Sequence, residues 1–213
     1  MILNRLKRFF KPKVSYPLKS VYNGHHQVTY RGVACQKSPF DYVIYQMIIN
    51  EVKPDLIIEI GTNQGGSTLY LADLLQIYGE GIIHSIDISD NCPALVKNHS
   101  RIKLFHKGWD DYDFSLAKDF NKVLVIEDSS HHYQNTIEAM QKFKELVSLN
   151  SYLIVEDGIV NSMGWSKSYG GGPVKAVNEF LTSNNNFKLD VYWENFFGKS
   201  ATFNTKGFLK KVS

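Results

Sequence analysis

Glu59-Ile60-Gly61-Thr62-Asn63-Gln64-Gly65-Gly66-Ser67 is the stretch that decides the fold of this chain. Residues 55–60 (DLIIEI) form an apolar run bounded by Pro54 and Gly61 and read as a buried strand, whereas 67–75 read as a helix. A glycine-rich turn from strand to helix belongs to a doubly wound sheet, in which ligands bind beyond the carboxyl ends of the strands. Glycines there permit positive φ and let a ligand come close to the backbone. A dinucleotide fingerprint G-x-G-x-x-G begun at Gly61 requires glycine at position 63, where this chain has Asn63. The next strand, 81–87 (GIIHSID), ends in Asp87, placed to accept the hydroxyls of a ribose.

Strands and helices alternate outward from this unit. Phe40, Val43, Ile44, Met47 and Ile48 recur at helical spacing after the start signal Ser38-Pro39, and Pro54 ends that helix. Further strands are read at 102–106, 122–126 (KVLVI) and 152–155. Helices are read at 136–147 and, behind Pro173, at 174–181. The tail holds strand-like runs at 188–193, 200–203 and 208–211. The expected fold is α/β and Rossmann-like, a mostly parallel seven-stranded sheet with an antiparallel edge hairpin and helices on both faces. Residues 38–213 make up this domain. Residues 1–37 are set apart as a basic amphipathic segment and an extended arm on the substrate side.

Composition narrows the function classes. The 213 residues are 43% hydrophobic and 21% charged with a net charge of +3, ordinary for one globular domain and too weakly basic to point to nucleic acid. Cys35 and Cys92 form no CxxC pair and fit a reduced, cytoplasmic protein. No apolar run approaches the roughly 20 residues that cross a bilayer. In 1–13, Ile2, Leu3, Leu6, Phe9 and Phe10 alternate with Arg5, Lys7, Arg8, Lys11 and Lys13. That pattern reads either as an anchor at an anionic inner-membrane surface or as a terminal helix packed on its own domain or on a second subunit.

Two more strand ends carry acids, Glu127-Asp128-Ser129-Ser130-His131-His132 and Glu156-Asp157-Gly158. In a parallel sheet both open on the edge that holds the glycine loop, so Asp128, Glu156 and Asp157 converge. Carboxylates that close repel unless a cation sits among them. Oxygen ligands without a histidine pair favour Mg²⁺ or a relative such as Mn²⁺ or Ca²⁺. His131 is the candidate general base, with His132 as the alternative.

The loop, in the form E-x-G-x-x-x-G, resembles motif I of class I methyltransferases, where it surrounds the amino-acid part of S-adenosylmethionine (SAM). Only the glycine spacing separates this reading from a nicotinamide cofactor. The resemblance implies donor contacts from Glu59, Gly61, Thr62, Asn63, Gly65, Gly66, Ser67 and Asp87, and from Gly108, Trp109 and Asp128. Trp109 replaces the small polar residue expected there, and either stacks on adenine or belongs to the core. Over 32–211 the chain resembles the family named for cephalosporin hydroxylase, whose relatives include rhamnosyl O-methyltransferases. The likeness is carried by KSPFD (37–41), YQ (45–46), KPDLIIEIG (53–61), GGS (65–67), Asp128, EDG (156–158), GGGPVKAV (170–177) and TFNTKG (202–207).

That family implies Mg²⁺ on Asp128, Glu156 and Asp157. The Asp-x-x-His spacing of Asp128 and His131 is also similar to metal-dependent sugar O-methyltransferases of macrolide pathways, in which the histidine is the base. The expected activity is SAM-dependent, metal-assisted O-methylation of a sugar or glycan hydroxyl, by a dimer or larger homo-oligomer. A hydroxyl is a poor nucleophile at neutral pH, and a divalent cation lowers its pKa. Tyr22, His25, His26, Tyr30 and Arg31 in the arm would suit a sugar or phosphosugar acceptor. Gly170-Gly171-Gly172-Pro173, with Tyr169 at its edge, reads equally as a lid or as a long connection. Two competing accounts are a non-catalytic SAM-fold partner protein and an iron-dependent hydroxylase. The hydroxylase would want two histidines and one carboxylate.

Overall fold

The strand before the glycine loop, β3 (Leu56–Ile60), is buried along all of its 5 residues. An unbroken apolar strand needs cover on both faces, and β3 has it because it lies mid-sheet. It pairs in parallel with β4 (Ile82–Ile86) on one side and with β6 (Val123–Glu127) on the other. β5 (Ile102–Phe105) extends the sheet beyond β4, and β7 (Tyr152–Val155) extends it beyond β6, both in parallel. The antiparallel edge is made by β9 (Phe208–Lys211) and β8 (Phe187–Leu189), giving the order β5-β4-β3-β6-β7-β9-β8. Chain order reverses direction at β3, which is the switch point where such sheets bind ligands. The computed structural model describes residues 17–213, so the basic segment 1–13 lies outside the described residues.

Alternate side chains of each strand feed two separate cores. Ile57, Ile83, Leu124 and Ile154 pack with helices α2 (Pro39–Val52) and α3 (Gly66–Tyr78). Leu56, Ile58, Val125 and Leu153 pack with α5 (Tyr133–Phe143) and α7 (Gly172–Ser183) on the other face. Each such side chain removed from water contributes about 1.5–3 kcal/mol, which offsets the entropy of ordering the strands. Helix α2 begins as its sequence specifies, with Ser38 accepting from the Phe40 amide and Pro39 in the first turn.

Three stretches differ from their sequence reading. The arm is not extended. It folds into α1 (Leu18–His25) and a hairpin of β1 (Thr29–Tyr30) and β2 (Val33–Ala34). At 8 residues, α1 is too short for its apolar period to register. Run 188–193 leaves the sheet after Leu189, because Asp190 accepts from the Tyr192 amide and starts the short helix α8 (Val191–Asn195). Run 200–203 is a buried loop rather than a strand. The Phe203 amide donates to Asp41 Oδ2 at 3.1 Å, and Ser38 Oγ donates to the Ala201 carbonyl at 2.8 Å. Ring contacts from Tyr22 and His25 to Phe203, with centroids 5.8 and 5.1 Å apart, bind α1 to that loop. Among the described residues, no helix is long and apolar enough to cross a membrane.

Gly61 turns the chain out of β3 at φ +103°, and a Cβ there would lie 2.0 Å from the Asp128 carbonyl oxygen. Gly79, just past the end of α3, has a similar φ of +85° with nothing within 4 Å. Gly61→Ala is therefore expected to cost about 3 kcal/mol or more in chemical denaturation, against about 1 kcal/mol for Gly79→Ala. Equal costs would show that the close approach at the switch point is not rigid.

Candidate active site

The donor end of the site is built around a buried acid. Glu59, at the end of β3, accepts hydrogen bonds from Ser67 Oγ at 2.6 Å, from Ser85 Oγ at 2.7 Å and from the Thr68 hydroxyl. Burial pushes its carboxyl up against the pull of Lys37 and the three hydroxyls. Those bonds tie the start of α3 and strand β4 to β3. Glu59 is fully buried and lies off the cavity wall, so the contact expected of it with the donor becomes support from behind.

The cavity measures about 480 Å³. Gly61, Thr62, Asn63, Gly66 and Ser67 line it, as do Asp87, Gly108, Trp109 and Asp128. Gly65 sits behind the wall, where a Cβ would meet Val96 at 2.8 Å. Asn63, at the position where a dinucleotide fingerprint wants glycine, also takes a left-handed φ of +50°. Asparagine tolerates that region, and the turn directs the Asn63 amide to Asp87 Oδ2 at 2.8 Å. Asp87 Oδ1 accepts from the Ser89 amide and hydroxyl, both at 3.0 Å. Trp109 packs against the core, as one of its two readings expects, and also lines the cavity.

At the other end, parallel pairing of β6 and β7 brings the acids to one rim, with the Glu156 amide on the Glu127 carbonyl at 2.9 Å. Asp128, His131 and Asp157 each offer a ligand atom within 4.8 Å of the others. His131 and Asp157 both have left-handed φ, +58° and +55°, a conformation that surrounding structure must enforce. It sets His131 Nε2 3.2 Å from Asp157 Oδ2. His132 is exposed, precedes the first turn of α5 without a side-chain capping bond and does not line the cavity.

Glu156 reaches the same rim but faces a partner that the sequence reading gave no role. Lys37 Nζ lies 2.5 Å from Glu156 Oε1 and 2.9 Å from Asp128 Oδ2, and the Tyr45 hydroxyl donates to the same Glu156 Oε1 at 2.5 Å. The repulsion that calls for a cation is thus met in part by the chain itself. Burial would lower the Lys37 pKa, but Asp128 and Glu156 outweigh it and hold the ammonium well above its ordinary value. Burial lifts Asp128 to about 6 against the pull of Lys37 and His131. His131 is raised because Asp157 and Asp128 overcome the effect of its burial.

From the arm, Tyr22, His25 and His26 line the cavity, and Tyr169 joins them from the turn before α7. Tyr30 and Arg31 do not. Both bind Asp73 on α3, at 2.9 Å through the tyrosine hydroxyl and at 2.9 and 3.1 Å through the guanidinium.

A sheet of this order, with a glycine loop at its switch point and an acid ending the next strand, defines a class I SAM-dependent methyltransferase fold. The chain belongs to the rhamnosyl O-methyltransferase/CmcI family, whose model matches residues 22–212. It is 28% identical over 205 residues to the rhamnosyl O-methyltransferase of Mycobacterium bovis, covering 86% of this chain and 78% of that protein. The Mycobacterium leprae protein of the same name is 29% identical over 202 residues, with 85% and 82% covered. Among solved structures, CmcI without ligand superposes with a TM-score of 0.69 at 21% identity, covering 96% of this chain and 87% of that one. CmcI with magnesium and SAM gives 0.67 at 23%, covering 96% and 88%. These likenesses show the fold.

The donor set suits a hard divalent cation, since carboxylate oxygens dominate and one imidazole joins them. His131 Nδ1 is buried without a hydrogen-bond partner, so the ring is held through Nε2 alone, by Asp157. Removing one negative neighbour must lower the His131 pKa. In metal-free protein, Asp157→Asn is expected to shift the His131 imidazole titration, followed by NMR, to lower pH than in the parent chain. An unmoved midpoint would show that Asp157 does not act on the ring.

Proposed function

We propose that this chain transfers a methyl group from SAM to a hydroxyl of a sugar or glycan, a rhamnosyl unit foremost, assisted by a divalent cation. The observation that carries this reading is one cavity lined both by the glycine loop with Asp87 and by Asp128, His131 and Asp157. The names of the curated relatives support the sugar acceptor.

Asp87 holds the ribose, its carboxylate having lone pairs beyond those given to Asn63 and Ser89. Trp109 covers the adenine. Gly61 and the loop after it present bare backbone to the methionine part of the donor. Asp128 and Asp157, clustered with His131, would hold a divalent cation, with Glu156 completing the set from the same rim. A divalent cation here would supply Lewis acidity that makes a hydroxyl a competent nucleophile near neutral pH. Tyr22, His26 and Tyr169 flank the acceptor and keep bulk water from the methyl group. As the new O–C bond forms and the S–C bond breaks, His131 takes the hydroxyl proton, and S-adenosylhomocysteine leaves as a neutral thioether.

An iron hydroxylase is disfavoured by a cluster with one histidine and several carboxylates. The division into an arm, 1–37, and a catalytic domain, 38–213, remains useful, although the arm supplies part of the cavity. We further assign the protein to the cytoplasm as a homo-oligomer, with 1–13 either at an anionic membrane surface or packed on its own domain or a second subunit. Size-exclusion chromatography and flotation with anionic vesicles test those assignments.

Isothermal titration is expected to show SAM binding that Asp87→Ala weakens at least about tenfold. His131→Ala should lower kcat on rhamnosyl glycosides by about 10²–10⁴ with SAM affinity retained. The parent rate should rise with pH as His131 loses its proton. Transfer that a chelator leaves untouched would remove the cation from the mechanism. Binding of NADH in place of SAM would overturn the whole reading.

A further inference from the structure

Lys37 is an ammonium set among the very carboxylates that are to hold a metal ion, with its side chain only 2% exposed. A buried lysine is costly unless it is paired, and this one is paired twice. The pairing is selective by atom. Lys37 takes Oδ2 of Asp128 and Oε1 of Glu156, and the Tyr45 hydroxyl takes that same Oε1. Asp128 Oδ1 and Glu156 Oε2 are left clear of both donors. Both clamps come from elements that pack across the rim, Lys37 from the turn before α2 and Tyr45 from the buried face of α2 itself.

We propose that Lys37 is a positioning residue that fixes which oxygens of Asp128 and Glu156 face the metal ion and sets the charge of the site for one divalent cation. This rests on the metal-assisted reading above. Asp128, Glu156 and Asp157, when ionised, bring three negative charges. The lysine cancels one, and with the His131 ring in its neutral form a divalent ion matches the two that remain. Groups behind metal ligands commonly orient them in this way, although here the orienting group is itself a cation. A permanent positive charge a few ångströms from the metal position repels a trivalent ion more strongly than a divalent one, so Lys37 acts as a filter on charge.

The test compares the binding of Mg²⁺ and Tb³⁺ to the full chain with S-adenosylhomocysteine present, by calorimetry and by terbium luminescence. Lys37→Met should raise the ratio of Tb³⁺ to Mg²⁺ affinity by at least about tenfold. Lys37→Arg, which keeps the charge, should hold that ratio within about threefold of the parent value. Lowered melting temperature with an unchanged ratio in Lys37→Met would overturn the proposal and leave a purely structural lysine. Should Lys37→Met fail to fold, Tyr45→Phe removes one clamp on Oε1 without altering charge. It is expected to weaken Mg²⁺ about threefold or more while preserving the ratio, and unaltered Mg²⁺ binding in that variant would overturn the proposal. A parent chain that binds neither ion overturns the metal-assisted reading itself. A parent chain that binds Mg²⁺, with no change of ratio in Lys37→Met, overturns only the role of Lys37.

Discussion

Negative charge gathered at the ends of neighbouring strands has to be neutralised, and much of the structure around the site answers that demand. Two unit charges 4 Å apart repel by about 4 kcal/mol even at the effective dielectric of a protein surface. Parallel pairing of β6 and β7 makes the crowding of Asp128, Glu156 and Asp157 unavoidable. Lys37 and Tyr45 answer from one side and His131 from the other. The arm before the sheet is therefore part of the electrostatics of the catalytic rim, not an accessory to it.

The donor end obeys the same rule in a neutral form. Glu59 is buried beneath the glycine loop and meets three hydroxyls in place of a cation. Its carboxylate draws Ser67, Thr68 and Ser85 together, which fixes the loop's take-off angle. The loop itself then remains free to offer backbone to a ligand. Asp87 completes the frame by holding the Asn63 amide. One acid is spent on architecture and the other lines the cavity, though both read alike as acids at strand ends.

The sheet was legible because its strands are buried on both faces and announce themselves as apolar runs with hard boundaries, as at β3 and β7. The convergence of Asp128, Glu156 and Asp157 followed from parallel pairing alone. Other features left no local trace. Lys37 meets Glu156 across 119 positions of sequence, and nothing in the neighbourhood of a lysine states where its ammonium will lie. The opening of the KSPFD segment was the available signal, with Lys37 and Asp41 reaching opposite ends of a buried anchor. Position in a motif does not reveal which way a side chain points, and Glu59 turns to Ser67, Thr68 and Ser85 beneath the loop. Tyr30 and Arg31 read as substrate contacts for the same reason, whereas Asp73 holds both. In run 188–193, apolar content outweighed the capping signal of Asp190.

The loop at 201–204 ties these observations to the order in which the chain is made. α1 supplies Tyr22, His25 and His26 to the cavity and leans on Phe203, while Asp41 and Ser38 grip the backbone of the same loop. The front wall of the pocket is thus written early in the message and supported by residues written late. During synthesis, the nascent polypeptide can assemble most of its parallel sheet yet carries no finished front wall to the cavity until that later loop has left the ribosome. The wall that α1 contributes is complete only once the 201–204 loop has joined it, and a chain cut before that loop would leave α1 without its Phe203 contact, held from this face by Trp165 against Tyr22.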